Sequence, residues 1–293
     1  MGGAGSDHGT ESMSAFHKPS DPARDFCQWP YARPSAPAVG AWRQEKILFD
    51  FLEDHQCRRT LAESLRQIQT LNGRFNTVWG LKSDGRRYSL ELYFYDYARR
   101  MRRLDPADIL TGAHVKTASG IFPDKNIDYF MWSIELDLFA DVPAQEIDIY
   151  CNGAGGTVSG GICYAWSQNK PELKNLYYFY QSTPDRQEIL DQLDAQPFGA
   201  ALRRYPETLL PGALSEDIYV VALKRRHASL YFSRAPLEAC LRIMEQWGFL
   251  PELRHYLDRH APKYTHHLFD IGIDYRVENN AVQLARMAIF GIF

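Results

Sequence analysis

Period-two alternation of apolar and polar positions organises the chain. From Arg87 to Tyr97, Leu90, Leu92 and Phe94 fall on one face and Ser89, Glu91, Tyr93 and Tyr95 on the other, as successive side chains of a strand do. A carboxylate among phenols is unlike an ordinary solvated strand face and reads as the wall of a semi-polar cavity. Tyr129 to Ala140 repeats the pattern, with Ile134, Leu136 and Leu138 opposite Ser133, Glu135 and Asp137. Further strand-like runs pair around turn signals at Ser83-Asp84-Gly85, Pro143, Asn169-Lys170-Pro171, Lys224-Arg225-Arg226 and Asn279-Asn280. The count is five hairpins, or about ten strands.

Between the hairpins the period changes to that of a helix. Ile47, Leu48, Phe51, Leu52, Leu61, Leu65 and Ile68 form one stripe from Trp42 to Leu71, ended by Asn72-Gly73. Asp105-Pro106 fits an N-cap followed by the first helical position. Helices are also predicted from Thr183 to Leu193, from Pro236 to Trp247 and from Glu252 to Arg259. Hairpins imply antiparallel pairing, and helices with single apolar stripes need a sheet face to cover. The arrangement that satisfies both is an α+β fold, a ten-stranded antiparallel β-barrel of ββ hairpins surrounded by α-helices; the alternative is an open antiparallel α+β sheet. Residues 41–293 read as a single domain. Residues 1–40, rich in Gly, Ser and Pro, read as a disordered arm that buries too little apolar surface to order itself.

Composition changes this picture little. The net charge of -3 offers no electrostatic reason to expect nucleic acid. Five scattered cysteines, Cys27, Cys57, Cys151, Cys163 and Cys240, match neither a metal-ligand spacing nor a disulfide framework. No signal peptide and no apolar run of membrane-spanning length is visible, so the expectation is a cytoplasmic monomer with no membrane partner.

Two stretches carry a resemblance to a known family. Asp84-Gly85-Arg86-Arg87-Tyr88-Ser89-Leu90-Glu91-Leu92-Tyr93-Phe94 resembles a Gly-turn hairpin ending in Ser-x-Glu-Leu-x-Phe. Leu223-Lys224-Arg225-Arg226-His227-Ala228-Ser229-Leu230-Tyr231-Phe232-Ser233 resembles a later Lys-Arg-x-x-x-Leu-Tyr-Phe-Ser hairpin. Both are similar to the ABBA-type aromatic prenyltransferases, the PT-barrel family. The resemblance implies αββα units around a barrel, and transfer of an allylic prenyl group from its diphosphate to an aromatic small molecule in specialised metabolism. Magnesium-using members place an Asp two residues after the hairpin Glu; here that position is Tyr93, so no cofactor is expected, with magnesium as the alternative left open.

Such a transfer needs cations or donors for the leaving diphosphate, aromatic faces to shield an allyl cation and a base for the acceptor's proton. Glu91 is the candidate base, with Glu135 and Asp137 behind it; its alternative is a strand glutamate paired with a cross-strand Lys or Arg. The candidate cations are Lys224, Arg226, Arg276 and Arg286, then Lys82 and Lys174, with Arg276 also readable as an ion-pair partner of Asp270 and Asp274. The candidate shield is Tyr93, Tyr95, Tyr150, Trp166, Tyr178 and Tyr231. The carboxylates Glu91, Glu135, Asp137, Asp148, Asp270 and Asp274 favour a second class, a binding protein for a cationic or amine-bearing ligand. His266-His267 lacks a third ligand at zinc spacing and reads as structural. Dinucleotide, Walker and nucleophile-elbow motifs are absent.

Overall fold

Ten strands close on themselves. In the computed structural model, which describes residues 15–97, 104–153, 159–181, 185–195, 218–224, 228–279 and 281–293, each strand pairs antiparallel with its sequence neighbour. The first strand also pairs with the last. The strands are β1 (Thr77–Ser83), β2 (Tyr88–Tyr95), β3 (Met131–Asp137), β4 (Ile147–Gly153), β5 (Ser159–Ser167), β6 (Lys170–Gln181), β7 (Ile218–Lys224), β8 (Ala228–Pro236), β9 (Leu268–Glu278) and β10 (Ala281–Ile292). The expected antiparallel barrel is therefore present, and the open sheet is not.

Helices α1 (Glu45–Asp54), α2 (Arg59–Asn72), α3 (Pro106–Gly112), α4 (Arg186–Asp194), α5 (Leu237–Trp247) and α6 (Pro251–Arg259) lie outside. The described helices include none long and apolar enough to cross a membrane. Two separate apolar clusters show which strand face is which. The larger joins helix residues such as Ile47, Leu65, Ile243 and Leu253 to Trp79, Leu90, Leu92, Ile134, Ile149, Phe232 and Ile271. The smaller contains no helix residue and joins Tyr93, Met131, Tyr150, Tyr177, Tyr231 and Phe290. The first is the layer between barrel and helices, and the second fills the lumen.

Local chemistry explains the connections. The β1–β2 turn is held by Asp84 Oδ1, which accepts from the Arg86 and Arg87 amides at 2.9 and 2.8 Å. Asp105 caps α3 in a reciprocal capping box with Asp108. The single stripe expected from Trp42 to Leu71 is broken into two helices, because Gln56 adopts a left-handed φ of 51° that cannot continue an α-helix. The β5–β6 turn sits at Gln168-Asn169, both at positive φ, one residue before the expected position. Two such residues form the tight loop that matches strand twist, which leaves Pro171 in β6 opposite Trp166.

The β1–β10 seam closes the barrel through two glycine–aromatic pairs. Outside, Trp79 lies across Gly291; inside, Phe290 lies across Gly80. A Cβ on Gly291 would meet Trp79 Cζ2 at 2.5 Å and Cε2 at 2.7 Å, and Trp79 is fully buried. Gly291→Ala is expected to destabilise the fold by about 1–3 kcal/mol, the usual cost of overpacking. Urea midpoints of the two proteins measure this, and an unchanged midpoint would show that the indole can give way.

Candidate functional site

The lumen has two chemically distinct halves. Parity along β2, β4 and β8 points Tyr93, Tyr150 and Tyr231 inward, and Tyr177 from β6 joins them. Tyr150 meets Tyr177 edge-on at 5.4 Å between centroids, and Tyr93 lies 6.4 Å from Tyr150. Burial raises all four phenols well above or beyond their ordinary range, with nearby acids and phenols adding to it. They stay protonated and act as hydrogen-bond donors. Tyr93 donates to Glu91 Oε2 at 3.0 Å, and Ser133 Oγ lies 3.1 Å from the Tyr150 hydroxyl.

Below the tyrosines lies a layer of lysines and carboxylates. Lys82 of β1 bridges Glu91 at 2.5 Å and Glu135 at 2.8 Å. Lys174 reaches Asp148 and Glu146, both at 2.8 Å. A register shift between Cys163 and Tyr164 leaves Lys174 out of the β5–β6 ladder; such a bulge re-aims side chains. Lys224 meets Asp274 at 3.0 Å, and the Ser229 hydroxyl donates to the same oxygen. Burial opposes the charge on Lys82, but Glu91 and Glu135 outweigh it and raise its pKa. Burial likewise pushes Glu135 up, but Lys82 outweighs it and holds the carboxyl below its ordinary value. For Asp148 burial wins over Lys174, and its pKa is raised.

This layer opens sideways. β3 and β4 pair only from Met131 to Ser133 and from Asp148 to Tyr150. Beyond that they splay around a cleft of about 300 Å³ lined by Glu135, Asp137, Glu146, Asp148 and Lys174. A larger groove, about 360 Å³, lies elsewhere, between α2 and Ala113–Lys116, and holds none of the lumen groups.

The opposite mouth is plugged by the chain's own N-terminal region. The expectation of a disordered arm over residues 1–40 does not hold for residues 15–40, although residues 1–14 lie outside the described part. Phe26 and Cys27 are buried inside the barrel. The Phe26 ring stacks on Tyr231 at 5.5 Å and 3°, and meets Phe290 at 4.5 Å and Tyr93 at 5.0 Å. Its amide donates to Asp270 of β9. Around the plug, Asp25 faces Arg234 at 3.3 Å and Asp21 faces Arg43 at 2.7 Å. The space left among the lumen aromatics is about 10 Å³.

The structure brings together Glu91, Lys82, Lys174, Lys224, Tyr93, Tyr95, Tyr150 and Tyr231. It places other candidates elsewhere. Trp166 and Tyr178 pack outward among the residues that meet the helices. Arg276 is half-exposed at the far rim, facing Glu278 at 3.2 Å and Gln283 at 3.4 Å rather than Asp270 or Asp274. Arg286 sits exposed at that same rim, opposite Asp274 in the ladder. Arg226 lies outside the described residues. Glu91 does pair with a cross-strand lysine, while also touching the tyrosine layer. Tyr177 and Phe26 were not anticipated. Both faces of β6 carry aromatics, so alternation alone could not choose Tyr177 over Tyr178. Phe26 sits in a segment with no periodicity at all. Neither a protein-family model nor any curated protein sequence matches the chain, so the site is read from its geometry.

Proposed function

We propose that the chain is an aromatic prenyltransferase of the ABBA, PT-barrel type, an enzyme joining an allylic diphosphate to an aromatic small molecule. One observation carries the reading: a benzenoid ring, that of Phe26, already sits in an aromatic slot directly above a layer of three lysines. An acceptor ring would take the place of Phe26, stacked on Tyr231 and edged by Tyr93. The diphosphate would enter through the β3–β4 cleft and rest on Lys82, Lys174 and Lys224, whose ammonium groups favour the departing anion. The allylic C–O bond breaks, and diphosphate leaves with the electron pair. The acceptor carbon forms the new C–C bond and releases its proton, through the Tyr93 hydroxyl, to Glu91. The tyrosine faces shield the cation from water.

A second reading rests on a different observation. Five carboxylates, Glu91, Glu135, Glu146, Asp148 and Asp274, contact the three lysines, a balance that suits an amine-bearing ligand in the cleft. Calorimetry with dimethylallyl and geranyl diphosphates, beside a diamine control, separates the two. Heat with a diphosphate, prenylated products from an indole and phenol panel, and their loss in a folded Glu91→Gln protein are expected. Binding of the diamine alone would transfer the case to the second reading.

A further inference from the structure

The plug is tied to the barrel at a cluster of three imidazoles. His17 belongs to the N-terminal segment, and His266 and His267 directly precede β9. A nitrogen from each lies within 4.8 Å of the others. His266 to His267 is 3.8 Å between ring centroids, and His17 to His266 is 4.7 Å. The pair His266-His267 lacks a third partner along the sequence; the fold supplies it from 249 residues away.

Hydrogen-bond partners fix the tautomer of two of the rings. His267 Nε2 lies 2.8 Å from the Trp42 carbonyl, which only accepts, so Nε2 carries the proton and Nδ1 keeps a lone pair. His17 Nε2 lies 2.7 Å from Arg33 Nη1, which only donates, so that nitrogen carries a lone pair, engaged by the guanidinium and open to a cation once Arg33 moves aside. The other nitrogen of His17, Nδ1, faces Asp21 Oδ2 at 3.5 Å. A carbonyl behind one ring and a carboxylate behind another is the outer-shell pattern that orients metal-bound histidine. His266 is 1% exposed, and its buried Nε2 has no hydrogen-bond partner, a costly state for a polar atom.

We propose that His17, His266 and His267 form a site for a divalent transition metal of the zinc class, which pins the N-terminal plug across the mouth of the barrel. Nitrogens bound to one zinc at about 2.0–2.1 Å in a tetrahedron lie roughly 3.4 Å apart. The backbone at His17 is held by the Phe16–Trp42 bridge and by its amide, which donates to the Ala41 carbonyl at 2.9 Å, so the contraction comes from the imidazole side chains as Arg33 yields its place to the ion. A fourth position is left for water. This inference does not depend on what the lumen binds.

The test uses the full chain, stripped with chelator and dialysed, then titrated with Zn²⁺ by calorimetry and with Co²⁺ by visible absorption. One equivalent is expected, with a four-coordinate cobalt spectrum. His17→Gln, which leaves the barrel untouched, abolishes that equivalent, and Asp21→Asn weakens it about 10–100-fold. Zinc slows tryptic cleavage at Arg24 and Arg33 in the native protein but not in H17Q. Absence of stoichiometric binding, a full equivalent surviving in H17Q, or cleavage indifferent to zinc would each overturn the proposal.

Discussion

Phe26→Ala is expected to release the plug and open the lumen. Phe26 is 6% exposed and is ringed by Tyr93, Tyr95, Tyr231 and Phe290. Removing a phenyl ring from such surroundings costs about 3–5 kcal/mol, and aromatic pairing contributes part of it. Here the loss falls on the docking of one segment rather than on the barrel core. The remaining ties are polar and include the Asp21–Arg43 and Asp25–Arg234 pairs, the bond from the residue 26 amide to Asp270, the His17 amide on the Ala41 carbonyl, and the contact of the Tyr31 hydroxyl with the backbone of Leu268. At about 1.4 kcal/mol per tenfold, the open fraction rises more than a hundredfold. Trypsin cleavage at Arg24 follows that fraction when reclosing is fast. The expected result is cleavage accelerated by at least two orders of magnitude with the far-ultraviolet dichroism retained. Phe26→Tyr is expected to stay near the native rate. A native rate in Phe26→Ala would show that the polar ties alone hold the segment.

Lys82→Met is expected to damage the barrel itself. Lys82 neutralises Glu91 and Glu135, carboxylates carried by neighbouring strands. Its side chain is 12% exposed and that of Glu91 15%. Methionine keeps most of the volume and removes the charge, leaving two acids side by side. Breaking a buried pair costs 3–5 kcal/mol. Glu135 is about half exposed, which screens its share, so about 2–3 kcal/mol is expected at neutral pH. The pH dependence separates charge from packing. In the native protein Glu135 has a lowered pKa, so its pairing stabilises above the ordinary carboxylate range and the benefit is lost as pH falls through the folded value. In the variant the acids repel, and protonation relieves them. The gap between the two proteins should therefore narrow from pH 7 to pH 4, read from urea midpoints. An equal gap at both pH values would mean that Lys82 matters only as a packed hydrocarbon stem. The triple variant with Glu91→Gln and Glu135→Gln should recover most of the loss.

Much of this molecule is legible along the chain. Alternation in Leu90–Phe94 and Ile134–Leu138, with Asp84-Gly85 and Asn279-Asn280 at turns, marks hairpins because strand side chains repeat every two residues and tight turns demand particular backbones. The stripes of α1, α2 and α5 mark helices that must lie on a sheet. Together these imply an antiparallel barrel clad in helices, and they identify the Glu91 face as its inside.

What the chain pattern leaves open is what the inside contains. Tyr177 rather than Tyr178 enters the lumen because both faces of β6 are aromatic and only strand pairing settles the parity. Arg276 and Arg286 have lumen-compatible positions, yet their height along the barrel puts them at a wet rim. Lys82 and Glu91 are nine residues apart and Lys82 and Glu135 are 53 apart, so their bridge exists only once three strands are in register. Phe26 and His17 belong to a segment without periodicity, whose order comes from surfaces made by β2, β8, β9 and β10 and from pairing with Ala41–Arg43. Local periodicity reports where a side chain points relative to its neighbours. Closure of the barrel determines which charges meet and which segment fills the space between them.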